Sequence, residues 1–210
     1  VANHSNWWDG FLAYLVGAGL GLHFQVLMEA KNLDRYWMFR WVGALPLHRG
    51  QPGRGYADLA RAAVTLARPA TGLWVFPQGD RRPPAEPVRG CQTGAAHLAL
   101  SVPGPIRIWP VAFRYAYRGE QIPEAFAWLG RPWARDPGPA PGSRDARREL
   151  TQQIEGRLRE TVAALDARLA GEQLGEFALL LPGRLSINKR LDRLRHLFGL
   201  LDGPFERRNG

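Results

Sequence analysis

Residues 10–28, GFLAYLVGAGLGLHFQVLM, carry no charged side chain, and how this stretch folds decides whether the chain is built around a membrane span or around a water-excluded core. About 20 apolar residues suffice to cross a bilayer as a helix, so length alone permits a span. Gly17, Gly19 and Gly21 fall in the middle of it, and the polar His23 and Gln25 follow. Closely spaced glycines disfavour a continuous helix and supply turns. The stretch is therefore predicted to fold as a buried helix over about 9–17, a glycine turn, and a strand over about 23–28.

The rest of the chain continues that alternation. Arg35–Trp41 reads as a short helix with its aromatic residues buried, and Ala44–Leu47 as a strand ending at His48-Arg49-Gly50. Residues 56–68 place Leu59, Ala63, Leu66 and Ala67 on one stripe, which predicts an amphipathic helix. Gly72–Phe76 is an apolar run closed by Pro77, a buried strand followed by a loop over 77–92. A helix is expected over Gly94–Ser101, stopped by Pro103-Gly104-Pro105, and a strand over Ile106–Tyr117. A Pro/Gly-rich loop over 132–143 leads to a long helix over about 143–170, with Ser143 as N-cap. Ala146, Leu150, Ile154, Leu158 and Val162 mark its buried face. Residues 185–201 read as a basic amphipathic helix, suited either to an anionic membrane surface or to the core. Strands alternating with helices predict one α/β domain over 1–210, a mostly parallel central sheet flanked by helices, plus C-terminal helices.

Composition narrows the class. Cys91 is the single cysteine, so no internal disulfide and no cysteine-based metal cluster can form. In its polar, Gly-rich surroundings it reads as an inert thiol. The formal charge of +9 attracts polyanions: nucleic acid, anionic headgroups or phosphorylated cofactors. Nucleic acid is set aside because the chain has no recognisable reading motif and its arginines are dispersed. His23, His48, His97 and His196 have no partner at metal-ligand spacing, so structural roles are expected for them and no metal is required.

The segment Asn3-His4-Ser5-Asn6-Trp7-Trp8-Asp9 carries the chemistry. A hydroxyl is a poor nucleophile near neutral pH and needs a base within hydrogen-bond reach, a task that suits the imidazole pKa. A carboxylate accepting the other ring N–H fixes the tautomer and stabilises the imidazolium. If His4 ends a strand and Asp9 opens the next helix, the intervening turn can fold the carboxylate back onto the ring. Trp7 and Trp8 either line an acyl groove or pack as ordinary aromatics.

Further segments follow in order: Gly43-Ala44-Leu45-Pro46-Leu47-His48-Arg49, Phe76-Pro77-Gln78-Gly79-Asp80-Arg81, Gly94-Ala95-Ala96 and Ile108-Trp109-Pro110-Val111. Together with Asn3, His4 and Asp9 they resemble the glycerolipid acyltransferase family, which includes the lysophosphatidic acid acyltransferases. The resemblance covers about the first 111 residues, and Phe126–Pro132 is similar to a later strand of the family. It implies an acyl-CoA or acyl-carrier-protein donor, a lipid acceptor such as 1-acylglycerol-3-phosphate, and no bound cofactor. His4 would be the general base with Asp9 behind it, and Arg49 and Arg81, with the Phe76-Pro77-Gln78-Gly79 turn, would place the acceptor and grip a phosphate. It also implies work at the cytoplasmic face of a membrane, either peripherally or through an anchor. Because the chain opens at Val1 directly on the motif, a preceding segment with a first strand or an anchor is expected.

Two positions depart from that pattern. Gln78 stands where the family usually has glutamate, and Asp80 where it usually has threonine. Glutamine keeps the shape and the carbonyl acceptor but not the charge, while Asp80 returns a charge that is expected to pair with Arg81 or Arg82. The reaction type is unaffected by these changes, whereas the acceptor could shift to a glycolipid, a hydroxylated pigment lipid or an aminolipid. A relative that binds lipid without catalysis is disfavoured by the intact His4 and Asp9.

Overall fold

A computed structural model of the chain describes residues 1–118, 121–135 and 143–183. The uncharged stretch divides at residues 20–22, with Gly21 at φ +68°: helix α1 spans Asp9–Gly19, running through Gly17 and Gly19 instead of ending near 17, and strand β1 spans His23–Glu29. No helix among the described residues is long and apolar enough to cross a membrane. The expectation that the helix is buried holds for one face only. Leu12, Ala13 and Val16 are buried, whereas Phe11 and Tyr14 are exposed.

β1 is the middle strand of a three-stranded parallel sheet, with β2 (Ala44–Leu47) on one side and β3 (Thr71–Trp74) on the other. Parallel neighbours need crossovers. Helix α2 (Ala30–Arg35) and a 3-10 turn over Trp37–Val42 make the first, and helix α3 (Pro52–Thr65) makes the second. The sequence had suggested one short helix over 35–41 with buried aromatics. Instead Trp37, Met38 and Trp41 are exposed, because a 3-10 turn this short offers no continuous apolar stripe to bury. Gly43 then makes the entry to β2 possible. Its φ is +98°, and a Cβ there would lie 2.2 Å from the carbonyl oxygen of Phe24.

Helix α3 starts at Pro52, four residues before its expected start, since proline at the first helical position has no N–H to leave unpaired. It ends at Thr65, so the buried face is Asp58, Leu59, Ala62 and Ala63, and Ala67 is outside the helix and exposed. Helix α4 (Gly94–Ser101) packs against α3 and against α5 (Arg144–Ala170). Ser143 caps α5, its Oγ accepting the Ala146 N–H at 3.2 Å. Leu150, Ile154, Leu158 and Val162 of α5 are buried, and Leu150 and Ile154 join Ala95, Ala96, Ala99 and Ile108 in one core cluster. Ala146, at the open end of the stripe, is only half-buried.

The strand expected over 106–117 is two strands, β4 (Ile106–Ile108) and β5 (Val111–Ala116), interrupted at Trp109-Pro110 where proline has no N–H to donate. β6 (Glu124–Leu129) joins β5, and β7 (Trp133–Arg135) pairs antiparallel with β4 inside what had read as loop. The fold is mixed α/β, with a parallel central sheet flanked by helices and a long C-terminal helix. The helix expected over 185–201 lies outside the described residues. Most of the described residues form one compact unit, within Val1–Arg114 and Ala125–Leu180, and Tyr115–Glu124 belongs to a second. Every expected site residue belongs to the first.

Candidate active site

Ligand sites in parallel α/β sheets gather beyond the carboxyl ends of the strands, and the motif residues do so here. β2 runs out into His48-Arg49, and β3 into Phe76–Arg81. A short extended segment completes the edge. The Ala2 N–H donates to the Val75 carbonyl at 3.0 Å, and Ala2 bridges Val111 in parallel. Asn3 anchors that segment: its Oδ1 accepts the Phe113 N–H at 2.7 Å and its Nδ2 donates to the Phe113 carbonyl at 3.2 Å, all of it buried. His4 therefore leaves a fixed strand end.

The turn from His4 to α1 is folded around Asp9, whose residue surface is 0% exposed. Asp9 Oδ2 lies 2.9 Å from His4 Nδ1 and also accepts the backbone N–H groups of Ser5 at 2.7 Å and Asn6 at 2.9 Å. Asp9 is the first residue of α1, where the unpaired N–H groups of a helix start favour a negative charge. The carboxylate is thus held ready-oriented beside the ring. With Nδ1 turned to Asp9, Nε2 is the nitrogen that can take a proton from a substrate. The imidazole stacks on Phe76, with ring centroids 4.5 Å apart, and its side chain is 24% exposed, enough to be reached.

The Pro77–Asp80 turn closes over the other side. Gln78 is buried and its Oε1 accepts the His4 N–H at 3.2 Å, so the residue works through the carbonyl oxygen that glutamine shares with glutamate. The Arg82 N–H returns to the His4 carbonyl at 2.8 Å. Gly79 has φ +78°, and a Cβ on it would come within 3.0 Å of Arg49 Nη2. That close approach lets Arg49 donate to the Gly79 carbonyl at 2.8 Å and to Asp80 Oδ1 at 3.0 Å. The hydrogen bond from Arg49 holds the Asp80 carboxyl below its ordinary pKa, and the same bond raises the Arg49 pKa. Asp80 is therefore bound to Arg49, thirty-one residues away, and not to its neighbours Arg81 or Arg82. Arg81 is exposed and makes no hydrogen bond or ion pair among the described residues, which leaves its guanidinium available to a ligand.

A second histidine–aspartate pair, not foreseen from the sequence, adjoins Arg49. His48 Nδ1 lies 2.7 Å from Asp58 Oδ2, which also accepts the His48 N–H at 2.9 Å, and Arg61 holds Asp58 Oδ1. Burial would raise the Asp58 pKa, but the His48 backbone and ring and the Arg61 guanidinium outweigh it and the net shift is downward. The two residues sit on different elements, β2's exit and α3, so no turn or helix spacing announces the pair. Burial and then the charge of Glu155 push the Cys91 thiol up to about 12. Among the described residues no three His, Cys, Asp or Glu side chains gather where a metal could be held.

A family model described as Acyltransferase matches residues 1–114, more than half of the chain. No curated protein and no solved structure matches it.

Proposed function

We propose that this chain, which belongs to the Acyltransferase family, moves a fatty acyl group from acyl-CoA or an acyl-carrier protein onto a hydroxyl of a membrane lipid. His4 is the general base and Asp9 its support. The observation that carries this reading is the 2.9 Å contact between His4 Nδ1 and a buried carboxylate oriented by two backbone N–H groups. That arrangement favours the N–H on Nδ1 and the lone pair on Nε2, as a base needs.

In the proposed step the acceptor O–H gives its proton to His4 Nε2 while its oxygen attacks the thioester carbonyl carbon. The tetrahedral intermediate collapses with cleavage of the C–S bond, and the imidazolium returns the proton to the departing sulfur. An ester and a free thiol result. The charge of Asp9 stabilises the imidazolium between those two transfers. Phe76 holds the ring by stacking, and Gln78 holds the backbone from which the ring hangs. Arg81, and Arg49 beside it, provide the guanidinium groups for an acceptor or donor phosphate.

The acceptor is first taken as 1-acylglycerol-3-phosphate-like. One observation favours a second reading, the same chemistry on a lipid whose head carries no phosphate: Asp80 already occupies the Arg49 fork, and a phosphate would have to displace it. The test is thiol release from long-chain acyl-CoA against a panel of lysophospholipid and glycolipid acceptors. Acceptor-dependent release that vanishes in His4→Ala supports the reading. Release that persists in a folded His4→Ala protein overturns it.

A further inference from the structure

Helix α3 buries a carboxylate among apolar neighbours. Asp58 is 3% exposed and shares the inner face of the helix with Leu59, Ala62 and Ala63. A charge in such a place is costly unless it is fully paired. Asp58 Oδ2 takes both the His48 N–H, at 2.9 Å, and His48 Nδ1, at 2.7 Å, while Arg61 holds Oδ1. Gly55 permits the approach of α3 to this point, since a Cβ on it would lie 3.0 Å from the His48 carbonyl oxygen. One buried carboxylate thus fixes both the backbone and the ring of a single residue at the exit of β2.

His48 stands where the chain turns toward the site. The Arg49 N–H closes a tight turn on the Leu47 carbonyl at 3.1 Å, so the direction taken by Arg49 depends on how His48 is held. Arg49 then donates to the Gly79 carbonyl at 2.8 Å and to Asp80 Oδ1 at 3.0 Å. The same turn carries Gln78, whose Oε1 accepts the His4 N–H. A chain of hydrogen bonds therefore runs from α3, through the end of β2, to the turn that follows β3. We propose that Asp58, acting through His48, is a positioning residue: it sets the place of the Arg49 guanidinium and of the Gly79–Asp80 turn, where the head of the acceptor is met. That the turn serves an acceptor rests on the reading above; the coupling of α3 to the turn does not.

His4 has supports of its own. Asn3 binds both backbone groups of Phe113 through its amide, and Asp9 holds the ring. Loosening the Gly79 turn should therefore weaken acceptor binding and spare the chemical step, which raises KM at constant kcat. A carboxylate that served folding alone would instead lower the stability of the whole unit and leave the turn no looser than the rest.

The experiment is amide hydrogen exchange on the full chain, comparing wild type, Asp58→Asn, Asp58→Leu and His48→Leu. Asparagine keeps one oxygen for both His48 donors, and Arg61, 72% exposed, is free to turn to water. Leucine keeps the size and accepts nothing. His48→Leu leaves Asp58 with the backbone N–H and Arg61, so it carries the test even where Asp58→Leu does not fold. The reporters are the Gly79 and Arg82 amides, bonded to the carbonyls of Phe76 and His4, and the reference is the Phe113 amide on Asn3. In the leucine variants the reporters should exchange about tenfold faster relative to the reference, the scale of one lost charge-assisted hydrogen bond. Asp58→Asn should keep the wild-type ratio. Equal acceleration of reporters and reference overturns the inference, as does a ratio that asparagine alters as much as leucine does. Thiol release from long-chain acyl-CoA, with lysophosphatidic acid or the glycolipid of the panel that supports it, should show KM about tenfold higher in the leucine variants with kcat held. A fall in kcat at unchanged KM overturns the acceptor-placing role. Turnover that survives in His4→Ala removes the acyl-transfer reading and leaves the exchange result standing, while a dead His4→Ala beside an unmoved turn does the reverse.

Discussion

Replacing Asp9 by asparagine separates two roles that a carboxylate plays beside a histidine. In serine hydrolases the same change costs about 10⁴ because the amide presents its NH2 to the ring and forces the wrong tautomer. Here Asp9 Oδ2 is pinned by the Ser5 and Asn6 N–H groups at 2.7 and 2.9 Å, both donors, so an asparagine must put its carbonyl oxygen in that place. That oxygen still accepts from His4 Nδ1, and the tautomer survives. What disappears is the charge. Two opposite unit charges about 4 Å apart at an effective dielectric of about 20 attract by ~4 kcal/mol. The neutral amide retains a hydrogen bond worth ~1 kcal/mol. About 3 kcal/mol of support for the imidazolium is then lost, which is on the order of a hundredfold in kcat/KM. The assay is acceptor-dependent thiol release across pH, with circular dichroism to show that the variant is folded. A loss below tenfold would mean that Asp9 is not supporting a charged ring. A loss as large as that of His4→Ala would mean that the two backbone donors do not fix the amide as argued.

The remaining expectations are smaller. Asp80→Thr should lower KM for a phosphorylated acceptor by two- to fivefold, since the Asp80–Arg49 pair is surface-exposed and worth about 0–1 kcal/mol; no change in KM, or a rise, contradicts the competition argument. Gly79→Ala should cost ~1–3 kcal/mol by thermal or urea unfolding, because it places a side chain at φ +78° against Arg49. Asp58 has a folded pKa below its unfolded value, so its contribution is present above about pH 4 and is lost as pH falls through the folded pKa. Urea unfolding should accordingly show Asp58→Asn less stable than wild type at pH 7, with the gap closing on acidification. Cys91, with its thiol up at about 12, should react with a disulfide reagent at pH 8 far more slowly in the folded protein than after denaturation.

How much of this could be read from the sequence depended on how local the determining physics was. The break between helix and strand falls at residues 20–22, where Gly21 has φ +68°, and is local, although α1 runs on through Gly17 and Gly19; the α5 stripe from Leu150 to Val162 needs only its own spacing. His4 and Asp9 are five residues apart in one turn, so their contact was within reach of a sequence argument. Features set by distant partners were not. The break between β4 and β5 could have been suspected at Pro110, but β7 became a strand only because β4 lies beside it. The His48–Asp58 pair depends on how α3 packs against β2. Asp80 was assigned to its sequence neighbours because proximity along the chain was all that could be seen. The sheet instead brings Arg49 to it from the end of β2. The exposure of Trp37 and Trp41 was missed for the opposite reason: composition says that such residues are buried, and only the shortness of the 3-10 turn prevents it.

The two departures from the family pattern become one change once the turn is seen in space. At position 78 the contact is made by a carbonyl oxygen to the His4 N–H, so glutamine meets the need without placing a second anion near the buried Asp9. At position 80 the carboxylate goes to Arg49 on the outer side of the turn. The loop therefore keeps one negative charge, carried by Asp80 on Arg49 and not by residue 78 on the His4 N–H. On the His4 side Asp9 is the carboxylate in contact with the ring. On the outer side a guanidinium suited to phosphate is answered internally, and Arg81 is left as the exposed cation. Under the proposed reading, a sequence change that spares His4 and Asp9 and alters the charge met by an incoming headgroup is what a shift of acceptor under unchanged chemistry requires.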